Sequence, residues 1–126
     1  MKKETKLLLV LFILIAVIRI SLAFSVPNFT YESYFHLRQV EQITQTGLPV
    51  YTDSLSYGGR EHLFLPFFHY FMAFFNLFLP LTVAAKIIPN LLIASIVIIV
   101  YLIAKKITNY ETASLLSALI AGFLPI

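Results

Sequence analysis

Glu32 and His36 stand four residues apart in Tyr31-Glu32-Ser33-Tyr34-Phe35-His36-Leu37-Arg38, so on a helix the carboxylate and the imidazole share a face, which Gln39 continues. An acid and an imidazole so placed can bind a divalent metal or act as an acid–base pair. The competing reading is a solvated polar face opposite Leu37, Val40 and Ile43. Farther along, Asp53 offers a second carboxylate. Tyr57-Gly58-Gly59-Arg60 offers close backbone approach at its glycines and a guanidinium fork suited to phosphate, or else a plain surface turn with a solvated arginine. Glu61 and His62 can simply mark the point where the chain re-enters an interface, and His69, inside a phenylalanine-rich run, reads as a packed histidine rather than a ligand. Asn28-Phe29-Thr30 fits the glycosylation acceptor pattern but starts too close to the preceding apolar segment to count.

These residues have little company. The 126 residues are 60% hydrophobic and 12% charged, carry a net charge of +3 and contain no cysteine. Ordinary soluble domains are about 25% charged and roughly 45–50% apolar, so a soluble globular protein is excluded. Thiolate metal sites, disulfides and cysteine nucleophiles are excluded with the cysteine. The length leaves room for three or four crossings of about 20 residues and one modest loop.

The elements that must position the polar residues follow from composition. After the basic start Lys2-Lys3-Glu4-Thr5-Lys6, an apolar run from Leu7 to Phe24 is long enough to span a bilayer. A cleavable signal peptide ending near Ser21-Leu22-Ala23 is the rival reading. Arg19 lies about 18 Å along this helix from Leu7, where its side chain can snorkel to the headgroups or turn inward to meet a lipid phosphate. Pro27 to His62 then holds four of the six acids. Within it Glu32 to Thr46 is expected to be a helix lying along the membrane surface, with Leu37, Val40 and Ile43 at spacing three and a stop at Gly47 and Pro49. Val50 to Arg60 reads as an irregular loop.

Three further apolar segments follow, Leu63 to Leu81, Ile87 to Ala104 and Ala113 to Ile126. The lysines choose between three and four crossings. Lys2, Lys3 and Lys6 mark the cytoplasm, and Lys105-Lys106 falls there too only if Leu63–Leu81 lies at the outer interface or dips in and returns. Pro66, His69, Asn76 and Pro80 interrupt that segment, whereas Ile87–Ala104 is a mostly aliphatic span with Pro89 and Asn90 near its start. The expected fold class is therefore an all-α integral membrane protein with three transmembrane helices plus external juxtamembrane helices. Its expected parts are a first transmembrane helix (1–26), an external polar loop with an amphipathic helix (27–62), an interfacial helix (63–86), a second transmembrane helix (87–104), a cytoplasmic turn (105–112) and the start of a third transmembrane helix (113–126). The N-terminus is then cytoplasmic and the loop 27–62 external, beside the plasma membrane of a prokaryote. Cytoplasmic ends sum to +3 and the external loop to −2, so the acidic outer loop is where chemistry is expected.

The order of these elements resembles the first external loop and following helices of the oligosaccharyltransferase catalytic subunit, particularly its archaeal forms, within the GT-C class of membrane glycosyltransferases. The features that carry the resemblance are Tyr31 to Arg38, Gly47, Asp53, Tyr57-Gly58-Gly59-Arg60, Lys105-Lys106 and the alanine- and glycine-bearing segment ending at Pro125. The resemblance implies the N-terminal module of a GT-C-type fold. It implies transfer of sugar from a polyprenyl-phosphate-linked donor to an acceptor on the outer face, asparagine of a protein being one acceptor, with a divalent cation (Mg or Mn). Bilayer, donor and acceptor are the expected partners, and nucleic acid is not. Carried over by position, Glu32 takes the place of the family's first-loop acid, usually aspartate, as catalytic carboxylate or metal ligand, with one more methylene of reach. His36 and Arg38 match the positions beside it. Tyr57 and Arg60 match the later stretch, with Gly58 where proline is common, and Asp53 with Arg60 would order the loop or meet the lipid-linked phosphate. The family's second acidic motif follows the proline-ended helix, and the sequence given stops at Pro125-Ile126. It is therefore expected to be the N-terminal part of a longer enzyme. The alternative is a non-enzymatic small multispan membrane protein, such as a transporter component or assembly factor, although polar residues near the midplane are few: Ile87–Ala104 holds Asn90, Ser95 and Tyr101.

Overall fold

The computed structural model describes residues 3–53, 57–61 and 63–124. Lys2, His62, Pro125 and Ile126, which enter the expectations above, lie outside the described residues. Among these residues the helices are α1 (Lys3–Ser25), α2 (Tyr31–Thr46), α3 (Phe67–Asn76), α4 (Leu81–Ala94), α5 (Ile96–Thr108) and α6 (Glu111–Phe123). A short antiparallel pair, β1 (Thr52–Asp53) with β2 (Arg60–Glu61), is the one departure from helix. The chain forms two compact units, Met1–Val26 with Lys86–Ile126, and Pro27–Ala85.

The first unit is built from helices with no polar face. Leu9, Val10, Ile13, Leu14 and Val17 of α1 are all exposed, as suits a helix that satisfies its own backbone and meets hydrocarbon rather than water. Glu4–Ser25 and the continuous stretch Leu81–Thr108 are long and apolar enough to cross a membrane. Their 22 and 28 residues run about 33 and 42 Å, against a hydrocarbon core of about 30 Å. The second stretch starts at Leu81 rather than Ile87, because the Pro80 carbonyl accepts the amides of Val83 and Ala84 (2.9 and 3.0 Å) and opens the helix. Lys86 does not interrupt it. Its ammonium donates to the Val26 carbonyl at 2.8 Å and lies 5.3 Å from the Phe24 ring centroid.

Ser95 joins α4 to α5 in helical geometry, and the turn into α6 is made by Asn109 at φ 54°, whose amide donates to the Lys105 carbonyl. Asparagine tolerates this left-handed backbone better than most residues. The core joins Ile15 and Ala16 of α1, Ala94 of α4, Val97 and Tyr101 of α5 and Ala118 of α6. Small residues allow the close approach. A Cβ on Gly122 would collide with the Ile15 side chain and come within 3.0 Å of Val97. Arg19 turns toward α6: its Nη1 donates to the carbonyls of Gly122 (3.2 Å) and Leu124 (3.4 Å), at the end of that helix.

In the second unit α2 packs on α3. Val40 and Ile43 of α2 and Met72 and Ala73 of α3 are buried, as the spacing-three pattern predicts for α2. Gly47 ends α2 at φ 78°, its amide donating to the Ile43 carbonyl at 2.8 Å, the left-handed stop that glycine adopts at least cost. The stretch expected to be irregular instead pairs Thr52 with Glu61 and Asp53 with Arg60. Gly58 and Gly59, at φ 78° and 76°, supply left-handed backbone in the connection between the two strands. α3 covers ten residues, about 15 Å of rise, half the hydrocarbon core.

Candidate functional site

The polar residues of the second unit are held by three fastenings. Gln39, 1% exposed, uses its amide on both sides of Val50: Nε2 donates to the Val50 carbonyl (3.0 Å) and Oε1 accepts the Val50 amide (2.8 Å). It therefore does not continue the Glu32–His36 face into solvent; it clamps the strand leading into β1 onto α2. Arg38 donates through Nη1 to Asp53 Oδ1 at 3.0 Å, fixing β1 to the same helix. At the other end, Tyr70 donates its hydroxyl to the Gly47 carbonyl (2.9 Å) and Asn76 donates to Thr44 Oγ1 (3.2 Å), tying α3 to α2.

On this frame His36 of α2 meets His69 of α3. Nδ1 of His36 and Nε2 of His69 are 2.9 Å apart and the rings stack at 28° with centroids 5.1 Å apart. His69 is packed, as a histidine in an apolar run should be, and it is also a partner of the expected site residue. Phe35, Phe64 and Phe68 present ring edges to it. Burial, and then the neighbouring His36, lower the His69 pKa below its usual 6.5, so it is neutral near pH 7. Its Nδ1 is buried with no hydrogen-bond partner among the described residues. Leaving a lone pair unmatched costs less than leaving an N–H unmatched, so the geometry favours the tautomer in which His69 Nε2–H donates to His36 Nδ1. His36 then carries its own proton on Nε2.

The pair floors an open recess of about 440 Å³ whose walls include Phe35, Phe64, Leu63 and Leu65, with Arg60 and Glu61 from β2 at the side. An apolar and aromatic wall, one cation, one anion and an imidazole N–H suit a polar ligand with an apolar face. Thus the structure brings together His36 and Arg60 around one recess, and Arg38 with Asp53 beside it. Glu32 and Tyr57 are exposed. Glu32 makes no hydrogen bond or ion pair among the described residues and is left as an available carboxylate. No three His, Asp or Glu residues are grouped closely enough to hold a metal ion among the described residues, so Glu32 supplies a single candidate ligand and the residues present do not by themselves form a cation site.

Sequence reasoning missed the roles of His69 and Gln39. A polar residue embedded in an apolar stripe is the signal both carried: each sits on the buried face of its helix, where an unmatched polar side chain would cost about 1–3 kcal/mol.

No protein-family model and no solved structure matches the chain. Over 101 residues it is 32% identical to a protein of the archaeon Archaeoglobus fulgidus, a match covering 76% of this chain but only 17% of that protein. With the two apolar helices, that likeness marks a membrane protein with a distant, partial similarity to dolichyl-phosphooligosaccharide-protein glycotransferase 2 of that organism.

Proposed function

We propose that the chain is the N-terminal membrane module of a GT-C-type glycosyltransferase of the oligosaccharyltransferase kind. It would work on the outer face of a prokaryotic plasma membrane, moving sugar from a polyprenyl-phosphate-linked donor to an acceptor, with protein asparagine as the narrower reading. The observation that carries this is the 32% identity over 101 residues, 76% of this chain, to the archaeal glycotransferase. In this reading the acceptor's nucleophile forms a bond to the anomeric carbon as the bond from that carbon to the donor phosphate breaks. Glu32, exposed and unpaired among the described residues, takes the acceptor-side proton. Arg60 meets charge developing on the leaving phosphate, Tyr57 contacts the donor, and the Arg38–Asp53 pair holds β1 in register with α2. His36 contributes the outward N–H of the imidazole pair to ligand orientation.

The reading is tested with membranes that hold the intact protein carrying this chain, supplied with a dolichyl-phosphate-linked oligosaccharide and an asparagine-containing acceptor peptide. Sugar should appear on the peptide in a donor-dependent way. No transfer to the peptide or to any lipid or hydroxyl acceptor, with the protein folded and abundant, would contradict it.

A further inference from the structure

Arg19 is a charge within a membrane-crossing helix whose visible partners are two carbonyls. Six residues separate it from Ser25, about 9 Å of helix below the end of α1. The only acids of this unit are Glu4 and Glu111. Glu4 is about 22 Å away along α1, near Lys105, and Glu111 begins α6, whose other end meets Arg19. Among the described residues, no carboxylate of the unit is therefore placed to neutralise the guanidinium. The end of α6 offers about half a negative charge, which leaves a net positive site in a region where charge is expensive.

The donor count points the same way. A guanidinium has five N–H groups. Nη1 is used on Gly122 and Leu124, whereas Nε is buried with no partner and Nη2 makes no hydrogen bond among the described residues. Nε and Nη2 form the side-on edge that takes a phosphate with two parallel bonds. Arg19 also lines an open recess of about 330 Å³ with apolar walls from Ile18, Leu22, Phe123 and Leu124 and one amide, Asn90. Asn90 Nδ2 donates to the Lys86 carbonyl, and Lys86 adds a second cation at the Ser25 end of the unit.

We propose that this recess binds the phosphate of a membrane lipid, with the Arg19 guanidinium meeting the phosphate oxygens and the apolar walls receiving the chain. The site stands apart from the transfer reading, and a bilayer phospholipid or a polyprenyl phosphate would satisfy the same chemistry.

Native mass spectrometry of the chain in neutral detergent, titrated with phosphatidylglycerol, a polyprenyl monophosphate or an uncharged galactosyl diacylglycerol, tests it. The wild type should retain one copy of a phosphate lipid at least tenfold better than the uncharged lipid, and preference between the two phosphate lipids identifies the source. Arg19→Gln should lose at least tenfold of that retention. Arg19→Lys, which keeps the charge but not the fork, should fall between them. Leu22→Trp, which fills the recess from an exposed position without touching the charge, should also release the lipid and keeps the test informative should Arg19→Gln fail to fold. Wild-type retention by any of these variants when folded, or equal retention of the uncharged lipid, overturns the proposal.

Discussion

At the scale of single residues, His69 couples the candidate site to pH. Its pKa is lower in the folded protein than the 6.5 of the free side chain. In the window between the two values the unfolded chain binds more protons, so the stabilisation is fully present above about pH 6.5 and is lost as pH falls toward the folded value. The second unit should therefore loosen on acidification. Protection of the α2 and α3 amides from hydrogen exchange, taken relative to the intrinsic rate at each pH, should fall as pH drops below about 6.5, and His69→Phe, whose ring suits the surrounding phenylalanines, should flatten that dependence. A pH dependence unchanged in the variant would remove His69 from the account. The imidazole pair was not legible in the sequence. Its members are 33 residues apart, and periodicity on α2 reports only which positions are apolar, not what a polar neighbour will find. Arg19 is the same lesson over a longer range, since its carbonyl partners lie more than a hundred residues away.

At the scale of elements, local signals carried well where the cause was local. Leu37, Val40 and Ile43 announce α2, and Gly47 stops it with the backbone only glycine takes cheaply. The start of α4 was hidden because Lys86 reads as a polar break, whereas its ammonium turns to the Val26 carbonyl and leaves the helix intact. The β1–β2 pair was hidden because two-residue strands carry no alternation to read. Gly122 is the tightest point between α1, α5 and α6. Gly122→Ala would drive a methyl into Ile15 and against Val97, and overpacking of this kind costs about 1–3 kcal/mol. The midpoint of thermal unfolding in detergent should fall accordingly. Ile15→Ala combined with Gly122→Ala should recover part of the loss, because the colliding atoms belong to the Ile15 side chain.

At the scale of the whole molecule, composition led to the expectation of three membrane helices; two stretches are long and apolar enough to cross, whereas α6, at 13 residues, is shorter, and the order of elements carried the likeness to the archaeal glycotransferase. Topology has a direct test, since the chain has no native cysteine to confuse labelling. Tyr57→Cys and Tyr110→Cys both place the thiol at an exposed position. A membrane-impermeant maleimide added to intact cells should label the first and reach the second only after permeabilisation; labelling of both from outside would restore a fourth crossing. The most direct measurement of the central claim is sugar transfer by membranes holding the intact protein, compared between wild type, Glu32→Gln and Glu32→Asp at equal protein level. Loss of a catalytic carboxylate typically lowers the rate by about 10²–10⁴-fold, so Glu32→Gln should fall by that order. Glu32→Asp, which retains the carboxylate, should keep a substantial fraction of the activity. Wild-type transfer by Glu32→Gln would contradict the role of Glu32 as the acceptor-side carboxylate.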